Sequence, residues 1–164
     1  MSASPVLAYV ALGSNLDDPL HQVEMGCRAL AGLESTQIVE QSPWYVTKAI
    51  GPGEQPDFIN GVVALQTELE AEALLRAMQA IEQAQGRQRL VRWGARTLDL
   101  DLLLYGTLTM HSETLTLPHP HLHERNFVVY PLADIAPTLT LPTGHRLEEL
   151  RATLGSAGVR RLEP

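Results

Sequence analysis

Arg96-Thr97-Leu98-Asp99-Leu100-Asp101-Leu102-Leu103-Leu104 alternates leucine with polar residues and reads as a strand. In that strand Leu98, Leu100, Leu102 and Leu104 share one face, and Asp99, Asp101, Leu103 and Tyr105 share the other. The leucine face belongs to a core. The opposite face carries two carboxylates about 6.5–7 Å apart at Cα, because a strand rises about 3.3 Å per residue. Like charges at that spacing raise each other's pKa unless a cation holds both ionised. Hard oxygen donors in this arrangement suit Mg²⁺, which takes one or two carboxylates and completes its shell with phosphate oxygens and water. A half-exposed strand with two solvated aspartates is the alternative, although Asp is depleted in strands.

The segment before the strand is rich in arginine. Arg87, Arg89, Arg92 and Arg96 fall in a run without an acid, punctuated by Gly86 and Gly94. The run has no hydrophobic period, so it reads as a mobile loop. Arginine grips phosphate oxygens with a planar fork of donors. Beside the aspartate pair, the loop therefore points to phosphate contact; a solvated basic loop is the plainer alternative.

Composition narrows the classes. The 164 residues are 45% hydrophobic with no low-complexity tract, which suits one domain over residues 1–164 with a real core. A formal net charge of −7 argues against a protein that coats nucleic acid. An arginine cluster on an acidic body suits a small polyanion such as a nucleotide instead. Cys27 is the sole cysteine, so no internal disulfide exists, and its place on an apolar helix stripe suits a buried filler. No apolar run approaches about 18 residues and no signal-peptide pattern opens the chain, so no membrane partner is expected and the cytoplasm is the simple location.

Val6–Leu12 reads as a strand ending at Gly13. Asp17 or Asp18 with Pro19 starts a helix to about Leu33, on the spacing of Leu20, Val23, Cys27 and Leu30. A β-prone segment over Thr36–Thr47 is interrupted by Pro43, which implies an edge or a bulge. Lys48–Asp57, with its glycines and prolines, is a loop. Phe58–Leu69 is a strand, and Glu70–Gln85 is a helix on the stripe Leu74, Leu75, Met78 and Ile81, stopped by Gly86. The aspartate strand follows at Thr97–Tyr105. The order β-α-β-β-α-β is the split pattern of an α+β ferredoxin-like core, an antiparallel sheet with both helices on one face. A possible hairpin (Thr107–Met110 with Thr114–Leu117) and helices over Glu124–Ile135 and Leu147–Leu154 would cover the other face, extending the fold to a three-layer αβα arrangement.

Such a core does not by itself set an activity. The chain has no G-x-x-x-x-G-K-[ST] and no G-x-G-x-x-G, so a phosphate site must be built from side chains and metal.

Arg92-Trp93-Gly94-Ala95-Arg96-Thr97-Leu98-Asp99-Leu100-Asp101 resembles the R-W-G-x-R-T-L-D-L-D signature of the 6-hydroxymethyl-7,8-dihydropterin pyrophosphokinases of folate biosynthesis. Gly13-Ser14-Asn15-Leu16, Gln55-Pro56-Asp57-Phe58-Ile59-Asn60, Pro118-His119, Arg125 and Phe127 follow in the family's order, from about residue 8 to about residue 142. The resemblance implies a diphosphotransferase that moves the β,γ-pyrophosphoryl unit of ATP to the pterin hydroxymethyl group and releases AMP. It implies two Mg²⁺ ions, ATP as co-substrate and an αβα fold; a monomer is expected.

Carried over by position, Asp99 and Asp101 are the implied ligands of both Mg²⁺ ions. Arg87 and Arg96 are the implied catalytic arginines that close over the triphosphate, with Arg89 assisting. Gln79, Leu102, Thr116, His119 and Arg125 are the implied further ATP contacts. Glu82, one helical turn from Gln79, matches a recurring family acid of open role, a solvated helix acid being the alternative. A pterin is flat, with an aromatic face and a polar edge, and needs stacking plus an amide. Phe58 and Phe127 match the stacking positions, Asn60 the edge-reading amide, Thr47 and the backbone at Ile50 the main-chain contact, and Trp93 the residue that seals the pocket. Departures from the family pattern are a loop about one residue shorter, Pro120 after His119 where an aromatic is common, and Thr114 where a basic residue is common.

Two other readings stand beside this one. His119, His121 and His123 alternate with His111 nearby, as zinc ligands of a hydrolase could, but Pro118 and Pro120 oppose the regular strand that would align them. A non-catalytic module binding RNA or a metabolite is the second, disfavoured for RNA by net charge and by the lack of an aromatic-basic motif.

Overall fold

The computed structural model describes residues 4–16, 18–48, 56–85 and 97–162. Its elements are β1 (Val6–Ser14), α1 (Pro19–Ala31), β2 (Thr36–Gln41), β3 (Tyr45–Thr47), β4 (Phe58–Thr67), α2 (Ala71–Ala84), β5 (Asp99–Tyr105), β6 (Met110–His111), β7 (Thr116–Leu117), α3 (Asn126–Ile135), α4 (Leu147–Leu154) and β8 (Val159–Arg161). A 3-10 turn at Leu122–Glu124 precedes α3. One antiparallel sheet runs β5-β1-β4-β3-β8, with β2 beside the other half of β4. The strand order expected from the sequence is present through β5.

Both faces of β1 and β4 are covered, which explains their nearly continuous apolar run. Ala8, Val10 and Leu12 of β1 with Val63 and Leu65 of β4 meet Val23, Cys27 and Leu30 of α1 and Leu74, Met78 and Ile81 of α2. On the other face Tyr9, Val62 and Ala64 meet Val128, Val129 and Leu132 of α3 and Leu147 of α4. The result is the three-layer αβα arrangement. Asp18 sits at the N-cap of α1, yet its carboxylate makes no capping bond. Pro19, pre-set for helix and with no N–H to satisfy, marks the start.

Three expectations need correction. Leu104 does not share the face of Leu98, Leu100 and Leu102. The β1–β5 register slips between Tyr9↔Leu104 and Val10↔Leu102, leaving Leu103 as the extra residue of a bulge. Past the bulge the alternation inverts: Leu103 and Leu104 both enter the α3–α4 cluster, and Tyr105 packs on the α1–α2 side. The Thr36–Thr47 segment divides into β2 and β3 at Ser42-Pro43-Trp44, with the Trp44 ring lying where a Cβ on Gly61 would come within 2.5 Å of it. The helix α4 is also not the last element, because β8, which the sequence reading does not include, follows it and adds a strand beside β3. Among the described residues, no helix is long and apolar enough to cross a membrane.

Candidate active site

Asp99, Gly13, Asn60 and Tyr45 form one row across four strands, each directly opposite the next. Opposed residues of antiparallel strands share a face, so this row points to the α3–α4 side. Asp101 opposes Ala11 two residues further along β5 and shares that face. A cleft of about 490 Å³ opens here, lined among others by Gly13, Thr47, Phe58, Asn60, Asp99, Asp101, Glu124, Arg125 and Phe127. The aspartates, both phenylalanines, the amide and Arg125 are thus brought to one cavity, although three separate stretches of sequence supply them.

The amide of Asn60 is fixed. Its Nδ2 donates to the Thr47 hydroxyl at 2.6 Å, and both side chains are buried. Its Oδ1 lies over Gly13, where a Cβ would approach it to 2.6 Å. Gly13 therefore serves as the floor between Asp99 and Asn60, a role its place in the motif did not disclose.

Asp101 is flanked by two cationic or potentially cationic groups. Arg125 Nη1 stands 3.8 Å from Oδ2, and His119 Nε2 stands 3.9 Å from Oδ1. Asp101 is 43% exposed at its side chain, so these loose pairs add little stability, and their weight lies in local charge. The Arg125 guanidinium also lies 5.8 Å from the Phe127 ring centre. Burial holds the His119 imidazole below its usual range; Asp101 opposes that effect, and Arg125 and His121 add to it. The His119 N–H donates to the Leu103 carbonyl at 2.9 Å, tying this segment to β5.

The histidines do not line up. His119 turns to Asp101, whereas His121 Nδ1 and His123 Nε2 approach Glu124 at 3.1 and 3.6 Å. The 3-10 turn at Leu122–Glu124 breaks the alternation that a shared face requires. The His121 hydrogen bond holds the Glu124 carboxyl below its ordinary range. Among the described residues, no group of three or more His, Cys, Asp or Glu side chains is arranged to hold a metal.

Other expected residues lie elsewhere. Gln79 is exposed on α2, while Glu82, expected on the same helix face, is buried. Leu102 places its side chain in the α1–α2 core and does not line the cleft. Thr116 lies on β7, with its hydroxyl 3.3 Å from His111 Nδ1. Ile50, Arg87, Arg89, Arg92, Trp93 and Arg96 fall outside the described residues. Glu124 and Lys48 line the cleft without having been foreseen. For Glu124, its three-residue spacing from His121 was the available signal.

Curated relatives of this chain fall in one class, the pyrophosphokinases. A 2-amino-4-hydroxy-6-hydroxymethyldihydropteridine pyrophosphokinase of Pseudomonas aeruginosa is 50% identical over 154 residues, covering 94% of this chain and 95% of that protein. The protein of the same description from Haemophilus influenzae is 44% identical over 159 residues, covering 97% and 99%. The family model described as 7,8-dihydro-6-hydroxymethylpterin-pyrophosphokinase (HPPK) matches residues 9–137. The chain belongs to that family, and it is an enzyme, a kinase-type diphosphotransferase. In the fold comparison, a Plasmodium falciparum HPPK-DHPS double mutant crystallised with pterin and p-hydroxybenzoate superimposes with a TM-score of 0.76 at 13% identity. That match covers 97% of this chain and 48% of the other, so the chain spans about half the length of that relative.

Proposed function

We propose that this chain transfers the β,γ-pyrophosphoryl group of ATP to the hydroxymethyl oxygen of 6-hydroxymethyl-7,8-dihydropterin in folate biosynthesis, releasing AMP. The row Asp99–Gly13–Asn60, with Asp101 two residues further along β5, carries the proposal, because together they set a hard-oxygen pair beside an oriented amide in one cleft. A pterin between Phe58 and Phe127 would present its polar edge to Asn60 and Thr47 and its hydroxymethyl group toward the aspartates. The hydroxymethyl oxygen attacks the β-phosphorus, the bond to the α,β-bridging oxygen breaks, AMP leaves, and the hydroxyl proton passes to water.

Asp99 and Asp101 fit divalent metal chemically. Both are carboxylates that face the cleft, and the 3.8 Å contact of Arg125 leaves the Asp101 oxygens open to a cation. Bound there, two Mg²⁺ ions would neutralise charge on the phosphates. Arg125, 3.8 Å from Asp101, would meet a phosphate oxygen, with His119 next to it. The resemblance assigns Arg87 and Arg96 to the triphosphate as well, with rate rather than affinity as their contribution. AMP formation from ATP, measured with and without the pterin and Mg²⁺, tests the proposal. AMP appearing only with both supports it; ADP as product, or turnover independent of the pterin, overturns it.

A further inference from the structure

Glu82 lies in the last turn of α2 on the side packed against the sheet, and only 5% of it is exposed. A carboxylate is costly to bury unless hydrogen bonds or a cation compensate it, so its position needs a reason. Its Oε2 accepts the N–H of Leu100 at 2.8 Å. Among the described residues β5 is an edge strand, with β1 on one side only. Alternate N–H groups of such a strand point away from the ladder and need a partner from outside the sheet. The Leu100 N–H belongs to the peptide joining Asp99 to Leu100, so Glu82 holds the peptide plane lying between the two cleft-facing aspartates. Holding that plane restrains ψ of Asp99 and φ of Leu100, two of the four torsions that set how the two carboxylates project relative to each other.

We propose that Glu82 is a positioning residue for the Asp99–Asp101 pair, acting through the backbone from the opposite side of the strand. The proposal rests on the reading of those aspartates as metal ligands. A helix acid that only filled a surface would be exposed. One that only stabilised α2 would have no need to reach the neighbouring strand at the peptide between the two aspartates. Support one shell beyond metal ligands is worth roughly 10–100-fold in affinity or activity.

The experiment compares Glu82→Ala, Glu82→Met and Glu82→Gln in the full chain. Ala and Met remove the acceptor, and Met also preserves volume in case Ala fails to fold; Gln keeps an oxygen at the same reach. Three quantities are read: hydrogen exchange of the Leu100 amide, Mn²⁺ affinity by electron paramagnetic resonance with a non-hydrolysable ATP analogue present, and kcat against KM for the pterin. Loss of Leu100 protection, with Mn²⁺ affinity and kcat both down roughly 10–100-fold in Ala or Met, pterin KM unchanged, and recovery in Gln, supports the proposal. Folded Ala or Met variants with wild-type Mn²⁺ affinity overturn it, including when their activity merely tracks the fraction folded. Asp99→Asn and Asp101→Asn separate the two readings. If they leave Mn²⁺ binding intact, the metal assignment falls and takes the proposal with it. If they abolish binding while the Glu82 variants do not alter it, only the positioning role falls.

Discussion

Gly13 and Asn60 are directly opposed on β1 and β4, and a Cβ on residue 13 would stand 2.6 Å from Oδ1 of Asn60. The amide cannot retreat freely, because Nδ2 is held by Thr47 at 2.6 Å. Gly13→Ala must therefore either break that hydrogen bond or shift β1 against β4, and crowding of this kind costs about 1–3 kcal/mol. The expected result is a pterin affinity reduced about tenfold, since a displaced amide leaves polar groups of the ligand edge unpaired. Binding of an ATP analogue alone is expected to be unchanged. Titration of pterin fluorescence measures the first and calorimetry the second. Wild-type pterin affinity in this variant would remove Asn60 from the recognition of the ring edge.

Asp99→Ala and Asp101→Ala should each abolish turnover without unfolding the chain, because the core contacts of Leu98, Leu100 and Leu102 on the other face are untouched. The expected loss is on the order of several powers of ten, as positioning and charge neutralisation carry most of phosphoryl-transfer catalysis. Steady-state rates at saturating Mg²⁺, with circular dichroism as the fold control, check this. Near-normal turnover in either variant would refute the metal assignment.

Cys27 gives a pH prediction. Burial, with a smaller effect from Glu24, pushes its thiol from 9.0 up to about 12. A raised thiol pKa means that the folded state favours the protonated form. That contribution is complete below the unfolded value near 9 and is lost as pH rises from there through about 12. The urea midpoint of the wild type should accordingly fall more steeply over that interval than that of Cys27→Ala. Equal slopes would show that the thiol ionises as readily in the folded chain as in the unfolded one. In native protein at pH 8, a thiol reagent should modify Cys27 only as fast as the chain opens.

The order of strands and helices was legible because β1, α1, β4 and α2 carry strong apolar periods and clear stop signals. The aspartate pair was legible for the same reason: strict alternation over Leu98–Leu102 fixes which face each residue takes. The bulge at Leu103 was not legible, since three consecutive leucines fit either face and only pairing with β1 decides which one is extra. β8 escaped because Val159–Arg161 is three residues long and two of them are arginines; its strand character comes from β3 and from Asp134, far away in sequence. Phe58 and Phe127 could not be joined to one cavity by spacing, because they lie on β4 and α3 and meet only when α3 covers the sheet. The role of Glu82 stayed open beside a solvated alternative, because the Leu100 N–H that it accepts is a backbone group that no side-chain pattern announces.

The Tyr45 hydroxyl donates to Asp134 Oδ2 on α3, and Arg161 Nη2 of β8 donates to Asp134 Oδ1 at 3.0 Å. One carboxylate thus ties β3, α3 and β8 together at the end of the row that begins with Asp99. The Asp134 side chain is 12% exposed, whereas that of Arg161 is 57% exposed, so the two bonds should differ in strength. Removing the phenolic donor leaves a nearly buried carboxylate short of a partner, at a cost of about 1.5–3 kcal/mol for a bond to a charged group. Removing the exposed cation should cost only about 0.2–1 kcal/mol. Tyr45→Phe is therefore expected to lower the urea midpoint more than Arg161→Ala. Burial first, then the bond to Asp134, hold the Tyr45 phenol above its ordinary 10.0. Since the protonated phenol is the form the fold favours, its contribution is full below about pH 10 and is lost as pH rises through the raised value. The gap between wild type and Tyr45→Phe should consequently be constant from pH 7 to 9 and narrow above 10. A gap that persists at high pH, or an Arg161→Ala loss larger than that of Tyr45→Phe, would assign the anchoring of β8 to the ion pair instead.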